Sequence, residues 1–463
     1  MIIHYSADQC GAGKTTKALD AFAEQPGRYV LVVDRKLIAS SRKREIEDRL
    51  ARLNRVAPVI CIVDDDVDRP IAQTVGRRIA DAGRDYGPNP HVILIITHAG
   101  MMRCPDWSGF DGWDGIVIDE LPQILDREEH HLSRWLKPTL VAFYDLVPTD
   151  LPGVSEITFR GGVSSREVAH QWQAFHQRVI SGGARCDLET WDDIDDLERR
   201  EWQSWRQWEF GNLSPFRRVT MLADSFDESD TFALISRSEP QVTFQAFTVA
   251  ANRQWARREV VVRYVSDDVR AATSRFRSDA FAPDMAKVSG WLADVGTDQH
   301  IWTTNTNLKI SGSIRGRRVT PKQAGTNEFM TWNHASAIYA AKPSRLERQF
   351  YAAHGIEAEV VIRSREAYDL NQLFLRTSLR LPASTAPVEL RCFDRLQAET
   401  FAAKLERQYG LTPTLIFDDI GLEVRQAKPG RPRLAVAKTA EQVREAARLR
   451  KQKQRANAVA KAA

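Results

Sequence analysis

Six consecutive residues near the start of the chain, Gly11-Ala12-Gly13-Lys14-Thr15-Thr16, combine small side chains, a cation and hydroxyls in an order suited to holding phosphates. Small residues let backbone N–H groups approach an anion closely, and a helix that opens at this point adds the positive end of its dipole. Lys14 could neutralise the β and γ phosphates of a nucleotide such as ATP, and Thr15 could bind Mg2+. Asp8 stands where the full G-x-x-x-x-G-K-T pattern has its first glycine. Further along, Gly115-Ile116-Val117-Ile118 is an apolar run that ends in Asp119-Glu120. At the tip of a buried strand, Asp119 could hold the Mg2+ shell while Glu120 orients and polarises an attacking water. An apolar run before Asp-Glu is weak evidence by itself. Downstream of a phosphate loop, with the strand and helix order right, it becomes specific.

The second half carries a candidate for the remaining charge. In Gln372-Leu373-Phe374-Leu375-Arg376-Thr377-Ser378-Leu379-Arg380 two arginines stand four residues apart, which places them on one face if the segment is helical. Arginines supplied across a cleft stabilise the charge on a phosphoryl group in transfer.

These residues need elements to position them. Ile2–Tyr5 reads as a short strand before the phosphate loop. Tyr29–Val33, Val92–Ile96, Gly115–Ile118 and Val219–Ala223 read as buried strands, with helices over Lys14–Glu24 and Ser40–Asn54. Alternation of strand and helix indicates βαβ units and a mostly parallel sheet. The pattern repeats with strands at Glu259–Val265, His300–Thr304, Ser336–Ala341 and Val388–Phe393, and helices at Pro343–His354 and Arg395–Tyr409. Between the halves, residues 127–217 are rich in charge and tryptophan. Trp202, Trp205 and Trp208 recur at spacing three, which predicts a helical face packed on the first domain. Trp172 and Trp191 belong to the same segment. The Glu128-Glu129-His130-His131 run reads as a solvated helix face rather than a metal site.

The expected organisation is α/β. An ATP-binding domain over 1–236 carries a mainly helical insertion at about 127–217, a second parallel-sheet domain covers 237–421, and a basic tail covers 422–463. With 463 residues, 43% hydrophobic and 27% charged, the chain suits two or three globular domains. No apolar run is long enough for a bilayer, and the first residues lack the pattern of a signal peptide. Five cysteines without C-x-x-C spacing read as separate reduced thiols, so a cytoplasmic protein is expected. Residues 421–463 hold 12 Lys/Arg against 3 Asp/Glu, whereas the remainder holds 53 against 58. Such a concentrated basic arm, with Arg431 and Arg433 in a Pro/Gly-rich stretch, suits contact with a phosphate backbone.

On these motifs the chain resembles the superfamily 2 (DEAD/DEAH-like) helicases, particularly the divergent type of phages and plasmids. Residues 11–16 and Asp119-Glu120-Leu121-Pro122 match the first two ATP motifs. Val32-Val33-Asp34-Arg35 and Ile95-Ile96-Thr97-His98 sit where that family contacts the nucleic-acid backbone, which nominates Arg35, Thr97 and His98. Val219-Thr220-Met221-Leu222-Ala223-Asp224-Ser225 occupies the place of the Ser-Ala-Thr coupling box. Gly325-Thr326-Asn327 and Gln372, Arg376 and Arg380 resemble two motifs of the second motor domain. The resemblance implies two tandem RecA-like domains with ATP and Mg2+ in the cleft. Arg380 is then the favoured arginine finger, with Arg376 and Gln372 in support. It also implies a nucleic-acid partner, DNA rather than RNA, and other replication or nucleic-acid-processing proteins, with no membrane. Two other readings stand beside it. One is a nucleic-acid-binding ATPase that does not unwind. The other is a packaging-type motor with a nuclease, which would need a cluster of acidic residues on strands of the second half; Asp418-Asp419 is the only compact acidic pair near a strand end there, which argues against it.

Overall fold

A computed structural model of the chain describes residues 1–63, 74–132, 136–151, 153–161, 172–180, 182–187, 200–249, 254–267, 282–305, 308, 310, 312–320 and 328–422. Gly325-Thr326-Asn327, Trp191, and the tail with Arg431 and Arg433 lie outside the described residues.

The architecture is mixed α/β, built on two parallel sheets. The first has seven strands in the spatial order Thr243–Ala246, Ile2–Ser6, Val219–Leu222, Gly115–Asp119, Arg28–Val33, Val92–Thr97 and Val59–Ile62. Every described pairing in it is parallel. Val92–Thr97 is buried along its whole length, as a strand covered by helices on both faces requires. Its two faces feed separate apolar clusters. Leu94 and Ile96 point into one, with Trp113 and Phe110, while Ile93 and Ile95 point into the other, with Leu19 and Ile46. Thr243–Ala246 lies downstream of residue 236 yet forms an edge of this sheet, beside Ile2–Ser6.

The second sheet has six strands in the order Arg317–Arg318, His300–Thr304, His334–Ile338, Val388–Asp394, Val260–Ser266 and Thr414–Phe417, again all parallel in the described pairings. The helices Ala358–Phe374 and Arg395–Tyr409 pack on it through Leu370, Leu373, Phe401 and Leu405. Arg395–Tyr409 starts where Asp394 accepts a hydrogen bond from the Gln397 amide and stops at Gly410 in the left-handed region, φ 64°. Arg345–Ala353 starts after Pro343, because Ser344 and Glu347 form a reciprocal capping box.

The insertion corrects the expectation of a mainly helical segment. Its described core is a five-stranded antiparallel sheet in the order Leu125–Leu132, Arg200–Gln207, Ala184–Asp187, Val154–Phe159, Tyr144–Pro148, joined by the helices Leu136–Phe143 and Gln173–Ile180. Trp202 and Trp205 belong to a strand rather than a helix. Their odd spacing sends them to opposite faces. Trp202 packs in the insertion's own core with Phe175 and Tyr144, and Trp205 packs in the core of the first sheet. The 128–131 run is likewise strand, not a solvated helix face. His130 is buried, stacks on Trp202 at 4.7 Å between ring centroids, and its Nε2 lies 2.9 Å from Ser204 Oγ. No described helix is long and apolar enough to cross a membrane.

Candidate functional site

The loop after Ile2–Ser6 turns through two glycines with positive φ, Gly11 at 80° and Gly13 at 83°, before Lys14–Glu24 begins. A side chain at either position would be strained. Asp8, the residue that departs from the glycine pattern, ties the loop down. One carboxylate oxygen accepts from Ser6 Oγ at 2.9 Å and from the Val249 amide at 2.6 Å. Lys14 Nζ donates to the main-chain oxygens of Asp8 and Gln9. Thr15 Oγ1 donates to Asp119 Oδ1 at 2.7 Å, so the phosphate loop and the acidic strand tip meet directly.

Glu120 follows the strand with φ 69°, a left-handed backbone rare outside glycine, and its N–H donates to Leu222 O at 3.0 Å. Its Oε2 accepts from Tyr368 Oη at 2.8 Å and from Gln372 Nε2 at 3.1 Å. Burial pushes the carboxyls of Asp119 and Glu120 up, and for Glu120 the neighbouring Asp119 charge adds to the effect.

The arginine segment is not one helix face. The helix ends at Phe374, and Arg380 sits on the short 3-10 turn Ser378–Arg380. The turn nevertheless brings both arginines to the phosphate loop. A cleft of about 890 Å³ joins Gly11, Ala12, Gly13, Lys14, Thr15 and Thr16 to Asp119, Glu120, Arg376 and Arg380. A Cβ built on Gly11 would stand 3.2 Å from Arg380 Nε. Arg376 is buried and clasps Gln372, donating to its side-chain oxygen at 2.9 Å and its carbonyl at 3.3 Å. Arg35 and Arg42 also line this cleft, on the side of the helix Lys36–Arg52.

Thr97 and His98 are buried rather than presented at the surface. Thr97 accepts from the Gly100 amide as a helix cap, and His98 Nε2 lies 3.0 Å from Asp119 O. Asp418 is engaged by Arg263 at 2.8 Å and Trp291 Nε1 at 2.7 Å.

Sequence reasoning missed four contributors: Asp8 as a loop tie, Tyr368, Arg42, and the pair Asp224–Lys404. The pair spans the two sheets at 2.8 Å with both side chains buried. Burial raises the Asp224 carboxyl, but the Lys404 and Lys14 charges outweigh it and hold it below the usual range. A depressed carboxyl contributes stability above its unfolded pKa and loses it as pH falls through the folded value. Lys404→Met should cost on the order of 3–5 kcal/mol, because it strands a buried charge. It should also reverse the pH slope, so that the variant gains stability on moving from neutral to mildly acidic solution as Asp224 takes up a proton. Denaturant titrations at several pH values measure both effects.

No family model and no curated protein matches the chain. Among solved structures, it is similar to an XPD helicase at 9% identity and TM-score 0.48, covering 90% of this chain and 96% of that one. It is also similar to the Mycobacterium smegmatis helicase Lhr bound to ssDNA and AMP-PNP, at 12% identity and TM-score 0.32, covering 88% of this chain and 46% of that one.

Proposed function

We propose that the chain is an ATP-driven nucleic-acid motor of the helicase type, a DNA helicase or translocase acting in replication or a related DNA transaction. The observation that carries this reading is the juxtaposition in one cleft of a phosphate loop, two strand-end carboxylates and two arginines from the other sheet. Two motor units, 1–236 extended by the Thr243–Ala246 edge strand and the rest of 237–421, would close on the nucleotide. Lys14 would neutralise the β and γ phosphates. Glu120 would orient the attacking water, and Arg380, with Arg376 and Gln372 behind it, would meet the charge that develops on the transferred group. The donor set suits Mg2+, since the Thr15 hydroxyl and Asp119 carboxylate are hard oxygens already in contact, and this ion needs only one or two protein oxygens. When bound, it would offset phosphate charge. Arg35, exposed at the start of the helix Lys36–Arg52, and the tail residues Arg431 and Arg433 would contact the nucleic-acid backbone, with His98 supporting Asp119 from within and Thr97 capping the helix that carries His98.

The test is phosphate release from ATP with and without single-stranded DNA or RNA, together with strand displacement on a tailed duplex. The wild type should hydrolyse ATP faster with nucleic acid, DNA being the better activator. Lys14→Ala should bind ATP weakly and fall to background. Hydrolysis without displacement would favour a switch or scaffold. A wild type that does not hydrolyse ATP under any condition overturns the reading.

A further inference from the structure

The helix Ala358–Phe374 carries Arg365, Tyr368 and Gln372 at spacings of three and four, and Arg376 continues the series just past its end. Such spacing aligns side chains along one side of a helix. Each member of the stripe has a defined partner. Arg365 Nε donates to Asp230 Oδ2 at 3.1 Å, which ties the helix to the first sheet's domain, and its Nη1 donates to Glu347 Oε1 at 2.7 Å on the helix Arg345–Ala353. One turn on, the Tyr368 hydroxyl donates to Glu120 Oε2 at 2.8 Å. Gln372 adds a second donor to the same oxygen, and Arg376 holds the Gln372 amide in place from behind.

Glu120 therefore receives two donors on one oxygen from a helix of the other sheet. Its main chain is held in a left-handed turn by the hydrogen bond to Leu222. A carboxylate with one oxygen pinned twice and its backbone fixed has little rotational freedom, and a water would be met by the other oxygen. The Tyr368 side chain is half-buried. Burial, followed by the Glu120 charge, pushes its own ionisation well above the ordinary range, so it serves as a donor and not as an acid.

We infer that Tyr368 is a positioning residue that holds the Glu120 carboxylate for attack by water, an inference that rests on the reading of Glu120 as the water-orienting group. It does not touch the reacting atoms. Its hydroxyl acts through Glu120, and its effect should vanish when Glu120 can no longer act.

The experiment compares wild type, Tyr368→Phe, Glu120→Gln and the double variant in single-turnover and steady-state ATP hydrolysis, with binding of a non-hydrolysable ATP analogue. Phenylalanine keeps the ring and removes only the hydroxyl. Misplacing a catalytic group by a fraction of its length is expected to lower kcat roughly 10- to 100-fold. KM for ATP and analogue affinity should stay within about twofold, since binding contacts are untouched. In the Glu120→Gln background the hydroxyl deletion should add little further loss. An unchanged kcat in Tyr368→Phe, or the same fold loss in both backgrounds, overturns the inference. A denaturant-unfolding cycle of Tyr368→Phe with Glu120→Ala reads the contact without catalysis. Non-additive unfolding supports the pairing even if the wild type does not hydrolyse ATP, an outcome that would sink the motor reading alone. Additive unfolding shows that the two side chains are not coupled and overturns the pairing.

Discussion

Glu120→Gln should bind ATP about as well as the wild type and turn it over 10²- to 10⁴-fold more slowly, the range for removal of a general base. The substitution is nearly isosteric, and the network around it can survive. Tyr368 Oη and Gln372 Nε2 now donate to Glu120 Oε2, and both can donate equally to an amide oxygen. The left-handed backbone at position 120 is set by the strand end and the Leu222 carbonyl, neither of which involves the side-chain charge. Thr15 and Asp119 stay in contact, so the groups proposed to hold Mg2+ are untouched. What is lost is the capacity to polarise water. Rapid-quench turnover beside equilibrium binding of a non-hydrolysable analogue separates the two effects. Hydrolysis at the wild-type rate would remove Glu120 from the chemistry.

The elements that hold this site differ in how far their residues announce them. Lys14–Glu24, Arg395–Tyr409 and His300–Thr304 have the predicted bounds, because a glycine loop, an Asp cap with a closing glycine, and a continuous β-rich run mark their ends locally. Ala358–Phe374 is a helix whose second half is largely buried, including the polar residues Glu366, Asp369, Asn371 and Gln372. It shows no apolar stripe against a polar face, and only its last turn stood out in the sequence, as part of an arginine motif. The insertion misled for a related reason. Tryptophans three residues apart suit a helix face, yet here they serve two different cores on opposite sides of a strand. Asp8 looked like a defect in the phosphate loop, whereas its value lies in the Val249 amide, more than two hundred residues away in the chain. Contacts of that kind, like Tyr368 with Glu120 and Lys404 with Asp224, leave no local trace in a single sequence.

Arg380→Ala should have the largest effect of any substitution on the second sheet's side of the cleft, about 10³-fold or more in turnover with only a modest change in ATP affinity. Arg380 lies against Gly11, where its Nε would be 3.2 Å from an added Cβ, so its head reaches the phosphate loop itself. Burial and the neighbouring Arg376 charge lower its ionisation from the ordinary value, but a guanidinium remains charged in proteins. Such a cation acts chiefly where charge spreads over the transferred group, which makes kcat rather than binding the sensitive quantity. Lys at 380 should restore little, because a point charge does not reproduce the planar fork. The comparison with Arg376→Ala is decisive. Arg376 is buried and bonded to Gln372, so its removal should lower stability as well as turnover, by releasing Gln372 from Glu120. Arg380→Ala should leave the unfolding midpoint close to wild type while abolishing stimulation by nucleic acid, since closing the cleft would no longer complete the site. If Arg380→Ala retains both turnover and stimulation, and Arg376→Ala loses only stability, the second sheet supplies no charge to the reaction. The phosphate loop would then work without it.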